Sequence, residues 1–463
     1  MTVSLRVTSI LSTKPPQRVP TDSPSKAPPS SIDALILYHQ TLTLGRSPNK
    51  TILISAIKAC TLLPAFQQGI AIHAQIIKTG FHADRFLAST LVCFYSAFGH
   101  VTSAEHVFDK VNDKDTALWT TMLVGYVQNG DIDAARRLFG EMPNRDVVAW
   151  NAMLSGYSQS GMPKDAIQLF REMQIAKLRP TDVTLVSALS ACSQLGCLSL
   201  GEWIHAYIER YHDIRFTSTL VNSLVHMYGK CGRLDIAYEV FLEKGSGNLE
   251  SWNAMLTSFA IHGCGMSALS LFCQMMKMGL MPDRITFMAV LMACSHGGLV
   301  DHAYTCFACM SRVYGLQPRT EHYGCLVDVL SRKGLLKEAN MIIEKMPVEP
   351  DSNVWGALLG GCLTHQNYEL GLIAAARLLE QESYEESRLI ALSNLYVMAG
   401  KHEEAVNVRK MMLEMGIKKS SGSSLIEVDG IVHEFLAGDR SHRQSVEIYS
   451  MVETIDKLMC LKA

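Results

Sequence analysis

The chain is poor in several features that would assign a function quickly. No apolar run in its 463 residues reaches the length of a membrane-spanning helix, so no membrane partner is expected. Lys and Arg number 42 against 44 Asp and Glu, a net charge of −2, which gives no whole-chain support to diffuse attraction for phosphate backbones. Any nucleic-acid recognition must therefore come from individually placed side chains. Thirteen cysteines are present, but Cys306 and Cys309 form a lone C-x-x-C without a second ligand pair at zinc-site spacing. Cys60, Cys192 and Cys294 each follow an alanine at the same place in a repeated pattern, which suits small apolar packing rather than disulfides. No nucleophile, metal or phosphate-binding constellation stands out, so the chain is expected to be no enzyme and to hold no cofactor or metal.

What the sequence does have is repetition. Trp119, Trp150, Trp252 and Trp355 open near-copies of one phrase: Thr120-Thr121-Met122-Leu123, Asn151-Ala152-Met153-Leu154, Asn253-Ala254-Met255-Leu256 and Gly356-Ala357-Leu358-Leu359. Their spacings of 31, 102 and 103 residues predict a repeat just over 30 residues long, with longer and shorter versions. Aligning the phrases and turn residues gives nine repeats at 50–84, 85–115, 116–146, 147–181, 182–217, 218–248, 249–283, 284–319 and 320–351. Within 116–146, helical spacing runs through Met122, Leu123, Tyr126 and Val127, breaks at Gly130-Asp131, and resumes through Ala134, Ala135, Leu138, Phe139 and Met142. Each repeat reads as two antiparallel helices, with Pro143 and Pro282 marking where second helices stop. Segment 32–49 reads as a partial repeat, one helix from Ala34 to Gly45. One hairpin cannot bury its apolar stripe alone, but its neighbours can cover both faces, so the fold class expected is all-α, a superhelical solenoid with a concave inner surface.

Residues 1–31 are rich in Ser, Thr and Pro, carry Arg6, Lys14, Arg18 and Lys26, and hold one acid, Asp22. That composition suits an organellar transit peptide, with a plain disordered tail as the alternative. Mitochondrion and chloroplast are not separated by it.

The pattern resembles the plant pentatricopeptide repeat family, in its subclass where long and short motifs alternate. The residues that carry the likeness are Ala59-Cys60 and His73-Ala74-Gln75 in 50–84, and Met227-Tyr228-Gly229-Lys230-Cys231-Gly232 in 218–248. Val354-Trp355-Gly356-Ala357-Leu358-Leu359 and Leu392-Ser393-Asn394-Leu395-Tyr396 are similar to the two extension motifs that follow such arrays, here 352–418. Gly422, Ile426-Glu427-Val428, His433-Glu434-Phe435 and Gly438-Asp439-Arg440-Ser441-His442 look like the short segment beyond, a truncated one at 419–463. There the family usually has Pro, Cys and Trp, where this chain has Ser421, Ser423 and Leu425. The likeness implies a right-handed superhelix. In longer relatives the segment leads into a zinc deaminase-like domain, whose chemistry needs an H-x-E and a downstream C-x-x-C. Only Cys460 follows Cys362, and His402-Glu403-Glu404 reads as a solvated helical face, so no deaminase domain is expected within the chain.

The resemblance implies that each repeat reads one base of single-stranded RNA with its fifth and last residues. Carried onto this sequence, the base-reading pairs are Ser89 with Asp115, Thr120 with Asp146, Asn151 with Thr181, Asn222 with Asn248, and Asn253 with Asp283. By the family's pattern the first two favour G, the third a pyrimidine, the fourth C and the fifth U. Ile54, Val186 and Met288 hold the fifth place in long repeats and cannot hydrogen-bond a base; Gly324 and Asp351 close the array. The function expected is sequence-specific binding of organellar RNA that specifies a cytidine for C-to-U editing. The partners expected are that RNA and a deaminase, or another editing cofactor, supplied in trans. Two rivals stand beside it: an RNA stability, splicing or translation factor acting by occupancy, and a protein-binding helical scaffold.

Overall fold

The apolar spacing that predicts helices becomes helices at each of those places. The computed structural model describes residues 29–211, 214–245, 247–381, 386–417, 423–428, 431–436, 440 and 442–460. Residues 1–28, which carry most of the transit-peptide reading, and Ser421, Gly422, Gly438, Asp439 and Ser441 lie outside the described residues.

The chain divides into two compact parts, residues 29–195 with 203–215, and residues 196–202 with 216–460. In the first, a helix at Pro29–Thr43 precedes the pairs Lys50–Leu62 and Phe66–Lys78, Arg85–Ala97 and Val101–Asp109, Thr116–Gln128 and Ile132–Glu141, and Val147–Gln159 and Pro163–Ile175. Asp182–Leu195 follows. The second part holds the pairs Leu249–Ile261 and Gly265–Lys277, Arg284–Gly297 and Val300–Arg312, and Thr320–Arg332 and Leu336–Lys345. Ahead of them Ser218–Lys230 pairs with Leu234–Val240, which runs on as a single wide turn, Phe241–Gly245. Ser352–Thr364 with Tyr368–Glu380, and Glu386–Met398 with His402–Glu414, continue the series through the extension. The fold is all-α: a solenoid of antiparallel helical hairpins in which, within each part, a first helix packs on its own second helix and on the next first helix.

The core runs along these contacts instead of gathering in one place. Leu118, Met122, Leu123 and Tyr126 of one helix, and Ala135, Leu138, Phe139 and Met142 of its partner, are all buried. The repeated tryptophan is a stacking device. Trp119, Trp150 and Trp252 each meet, edge to face, a phenylalanine closing the preceding hairpin: Phe108 at 5.1 Å, Phe139 at 5.1 Å and Phe241 at 4.8 Å. Such T-shaped pairs contribute about 0.5–1.5 kcal/mol each beyond the area they bury.

Side chains at the ends of first helices tie one repeat to the last. Asn129 Nδ2 donates to the Ser96 carbonyl and Gln194 Nε2 to that of Ser158, both at 3.0 Å. His262, His296 and His365 bond the carbonyls of Gly229, Ala260 and Arg332 in the same way. These carbonyls lie in the last turn of each first helix, where the regular intrahelical bonds run out. At that level first helices approach so closely that a Cβ on Gly229 would run into the Ser258 side chain.

One element is not helical. Residues 423–428 and 431–436 form an antiparallel hairpin with Ser423 opposite Leu436 and Val428 opposite Ile431, followed by the helix Ser445–Cys460. The sequence motifs there predict no strand. The alternation that makes one is weak, because Leu425, Ile426 and Val428 remain largely exposed.

Candidate nucleic-acid interface

A first helix needs a partner for its leading N–H groups, and at the paired positions the last residue of the preceding repeat supplies it. Asp115 accepts from the N–H of Leu118 at 2.9 Å, Asp146 from Ala149 at 2.8 Å, Asn248 from Ser251 at 2.8 Å and Asp283 from Thr286 at 2.8 Å. Thr181 does so more weakly, from Thr184 at 3.4 Å. Helix capping of this kind stabilises by about 1 kcal/mol and, more usefully here, fixes where the side chain sits.

The fifth residue lies one turn into the first helix, and the stack brings it to that cap. Thr120 Oγ1 donates to Asp146 Oδ1 at 3.2 Å, Asn151 Nδ2 to Thr181 Oγ1 at 3.0 Å, and Asn253 Nδ2 to Asp283 Oδ1 at 3.2 Å. Asn222 and Asn248 are joined through Ser251, whose hydroxyl donates to Asn222 Oδ1 while its N–H donates to Asn248 Oδ1. The first pair is not brought together among the described residues: the Ser89 hydroxyl donates to the Arg85 carbonyl at 3.0 Å, and Asp115 serves only as a cap. The paired side chains are half-buried except Thr120 and Asn253, which are buried, as is the bridging Ser251.

Capping consumes one carboxylate oxygen and leaves the other. Among the described residues, Oδ2 of Asp115, Asp146 and Asp283 accepts no hydrogen bond. The Thr120–Asp146 and Asn253–Asp283 sites therefore each retain an uncommitted acceptor beside a second polar group, an arrangement able to meet the edge of a planar heterocycle. The long repeats offer nothing comparable: Ile54 and Val186 are half-buried, and Met288 lies exposed.

Residues outside the expected pairs complete the sites. Thr184, Ser251 and Thr286, each third in its own repeat, reach back to Asn151, Asn222 and Asn253. A hydroxyl at the third helical place looks like an ordinary capping-box residue, and only its coincidence with an asparagine one repeat earlier could have drawn notice.

Other candidates resolve as structure. Cys306 and Cys309 are both buried; contact with Cys294 and burial push the Cys306 thiol up, and burial raises Cys309 to about 11. Thiols so held stay protonated at neutral pH, the form that binds metals poorly. Among the described residues no group of three or more His, Cys, Asp and Glu is placed to hold a metal ion. His402, Glu403 and Glu404 are exposed on the first turn of His402–Glu414, where carboxylates suit the helix dipole.

The chain matches the family model described as PPR repeat over residues 117–147, 219–244, 250–280, 285–313 and 321–349, and a second PPR repeat family model over 145–194. The model described as E motif matches residues 365–427. A pentatricopeptide repeat-containing protein of Arabidopsis thaliana is 48% identical over 417 residues, covering 90% of this chain and 67% of the relative. A second from that plant, named putative and chloroplastic, is 44% identical, covering 93% of this chain and 78% of itself. A third, named mitochondrial, is 40% identical, covering 92% and 62%. Among solved structures, the pentatricopeptide repeat protein PPR10 in complex with an 18-nt psaJ RNA element aligns with a TM-score of 0.68 at 20% identity, covering 84% of this chain and 58% of PPR10. These proteins extend beyond the matched region, and the chain spans 58% to 78% of their lengths.

Proposed function

The chain belongs to the pentatricopeptide repeat family, and from that premise we propose that it binds single-stranded RNA in a chloroplast or mitochondrion and selects one cytidine for C-to-U editing by a deaminase supplied by another protein. The observation that carries the reading is the hydrogen-bond polarity at the paired sites. The Thr120 proton is committed to Asp146, so its hydroxyl retains only lone pairs beside the free Asp146 Oδ2; the Ser89 proton goes to the Arg85 carbonyl, which leaves that hydroxyl as an acceptor too. A site made of acceptors suits guanine, whose Watson–Crick edge offers two donors at N1 and N2. At Asn253 and Asp283 one amide N–H and one carboxylate oxygen remain, a donor and an acceptor that suit a uracil carbonyl and its N3–H. Asn248 uses its oxygen as a cap, which leaves an amide donor for cytosine N3.

The reading gives a target in order: G, G, a pyrimidine, any base, C, U, two further unread bases, three spacers and the edited C. Binding of the full chain to this oligonucleotide is expected to exceed binding to one with both G positions changed to C; equal affinity discards the assignment. The E motif match over 365–427 supports editing over simple occupancy. The array is proposed to choose the site and residues 352–463 to recruit the deaminase. Removing 352–463 is then expected to abolish editing in vivo and to leave RNA affinity largely intact. Altered transcript ends or retained introns in a knockout, with editing unchanged, would favour an occupancy role.

A further inference from the structure

The amide of Asn253 is held at both ends. Its nitrogen lies 3.2 Å from Asp283 Oδ1, and no other orientation serves, because an amide oxygen facing a carboxylate would set lone pairs against lone pairs. Its oxygen lies 2.6 Å from Thr286 Oγ1, a separation that two oxygens reach only with a proton between them. The amide oxygen carries none, so the threonine supplies it. The backbone N–H of Asp283 donates to that same Oγ1 at 3.2 Å, taking one of its lone pairs and turning the hydroxyl proton away. Asp283 Oδ1, 2.9 Å from the hydroxyl, already receives the Thr286 and Asn253 N–H groups. A relay results, from backbone N–H to threonine to amide oxygen, and it leaves one amide N–H of Asn253 uncommitted.

We infer that Thr286 is a specificity-determining positioning residue, which fixes the Asn253 amide so that its repeat presents a donor, and thereby reads a uracil carbonyl. The inference rests on the RNA-binding reading above. Asparagine's terminal torsion is broad and nearly two-fold, so an unanchored amide would offer oxygen or nitrogen to a base. Thr286 is fully buried and Asn253 is 8% exposed, so without the hydroxyl the amide oxygen loses a partner that water is poorly placed to replace. The same contact recurs wherever the fifth residue is one of these asparagines: Thr184 Oγ1 lies 2.5 Å from Asn151 Oδ1, and Ser251 bonds Asn222 Oδ1. Where the fifth residue is Ser89 or Thr120, whose hydroxyl has no amide ends to distinguish, the next repeat has Leu118 or Ala149 at that place.

The test is fluorescence anisotropy of the full chain on four RNAs that differ only in the base facing Asn253. Wild type is expected to prefer U. Thr286→Val should lower the U-over-G ratio there by about tenfold, the effect of one lost charge-neutral hydrogen bond, and leave the C preference facing Asn222 unchanged. Thr286→Ser should restore the ratio. Should Thr286→Val fail to fold in a thermal melt, Thr286→Ala carries the same measurement. Undiminished U preference in the variant overturns the inference, as does an equal loss of preference facing Asn222, which would mark a general structural defect. A wild-type chain without base preference at that place overturns the RNA reading itself, and this inference with it.

Discussion

Repeats 249–283 and 284–319 are neighbours with the same build, a first helix of 13 or 14 residues and a second of 13, yet they differ at the edge where the pairs sit. The first has Asn253 and Asp283, followed by Thr286; the second has Met288 and Arg319, followed by His322. In both, the backbone N–H of the last residue donates to the third residue of the following repeat: Asp283 to Thr286 Oγ1, and Arg319 to His322 Nδ1 at 3.2 Å. His322 therefore carries its proton on Nε2 and passes it to the Arg284 carbonyl at 3.0 Å, where Thr286 passes its own to an amide. The relay is common to repeats with and without a proposed base-reading pair. It belongs to the stacking of hairpins, and the proposed base-reading site lies where an asparagine stands in its path.

The largest effect is expected from breaking the close stacking of first helices on which the array rests. Gly229→Val, which forces side-chain atoms into Ser258 across the helix stack, should destabilise by about 3 kcal/mol and lower the melting temperature measured by circular dichroism. An unchanged melt would show that the close helix approach is dispensable. Next, Asn253→Val should weaken binding to the proposed target by about tenfold, and Met288→Val should leave it unaltered, since only the first removes a group proposed to hydrogen-bond a base. Equal losses would erase the distinction between the two repeats. The converse change sharpens it: Met288→Asn with Arg319→Asp and His322→Thr should create a preference for U at a place that has none, on the order of tenfold. Asp283→Ala and Asp351→Ala should each cost about 1 kcal/mol as lost helix caps, read from chemical denaturation, but only the first should alter base preference.

The smallest effect lies away from both. Burial, then the Lys110 charge, hold His73 below its ordinary value of 6.5, and its ring bonds the Tyr95 hydroxyl at 2.7 Å. The unfolded chain thus binds more protons there, so its contribution is complete above 6.5 and declines as pH falls below it. Melting between pH 7 and pH 5.5 should show a small decline that His73→Gln removes.

Much of this architecture was legible in single repeats. The apolar spacing around Met122 and Phe139 and the glycine at 130, whose φ of +78° ends one helix and starts the turn, are local signals read directly. The tryptophan phrase was legible as a pattern but not as a cause, because its phenylalanine partner belongs to the preceding hairpin. The proposed base-reading positions come from the family resemblance, since Asn and Asp at helix starts are common in any protein. Thr184, Ser251 and Thr286 were missed because each acts on a side chain about one repeat away, while locally each resembles a helix cap.

The sequence by itself determined that short amphipathic helices form in pairs and that none can bury its apolar stripe alone, because periodicity, glycine and proline act within a few residues. Only the tertiary structure decided which polar groups meet. Asn253 and Thr286 are 33 residues apart, and the direction of the proton between them follows from the packing of one helix on the next.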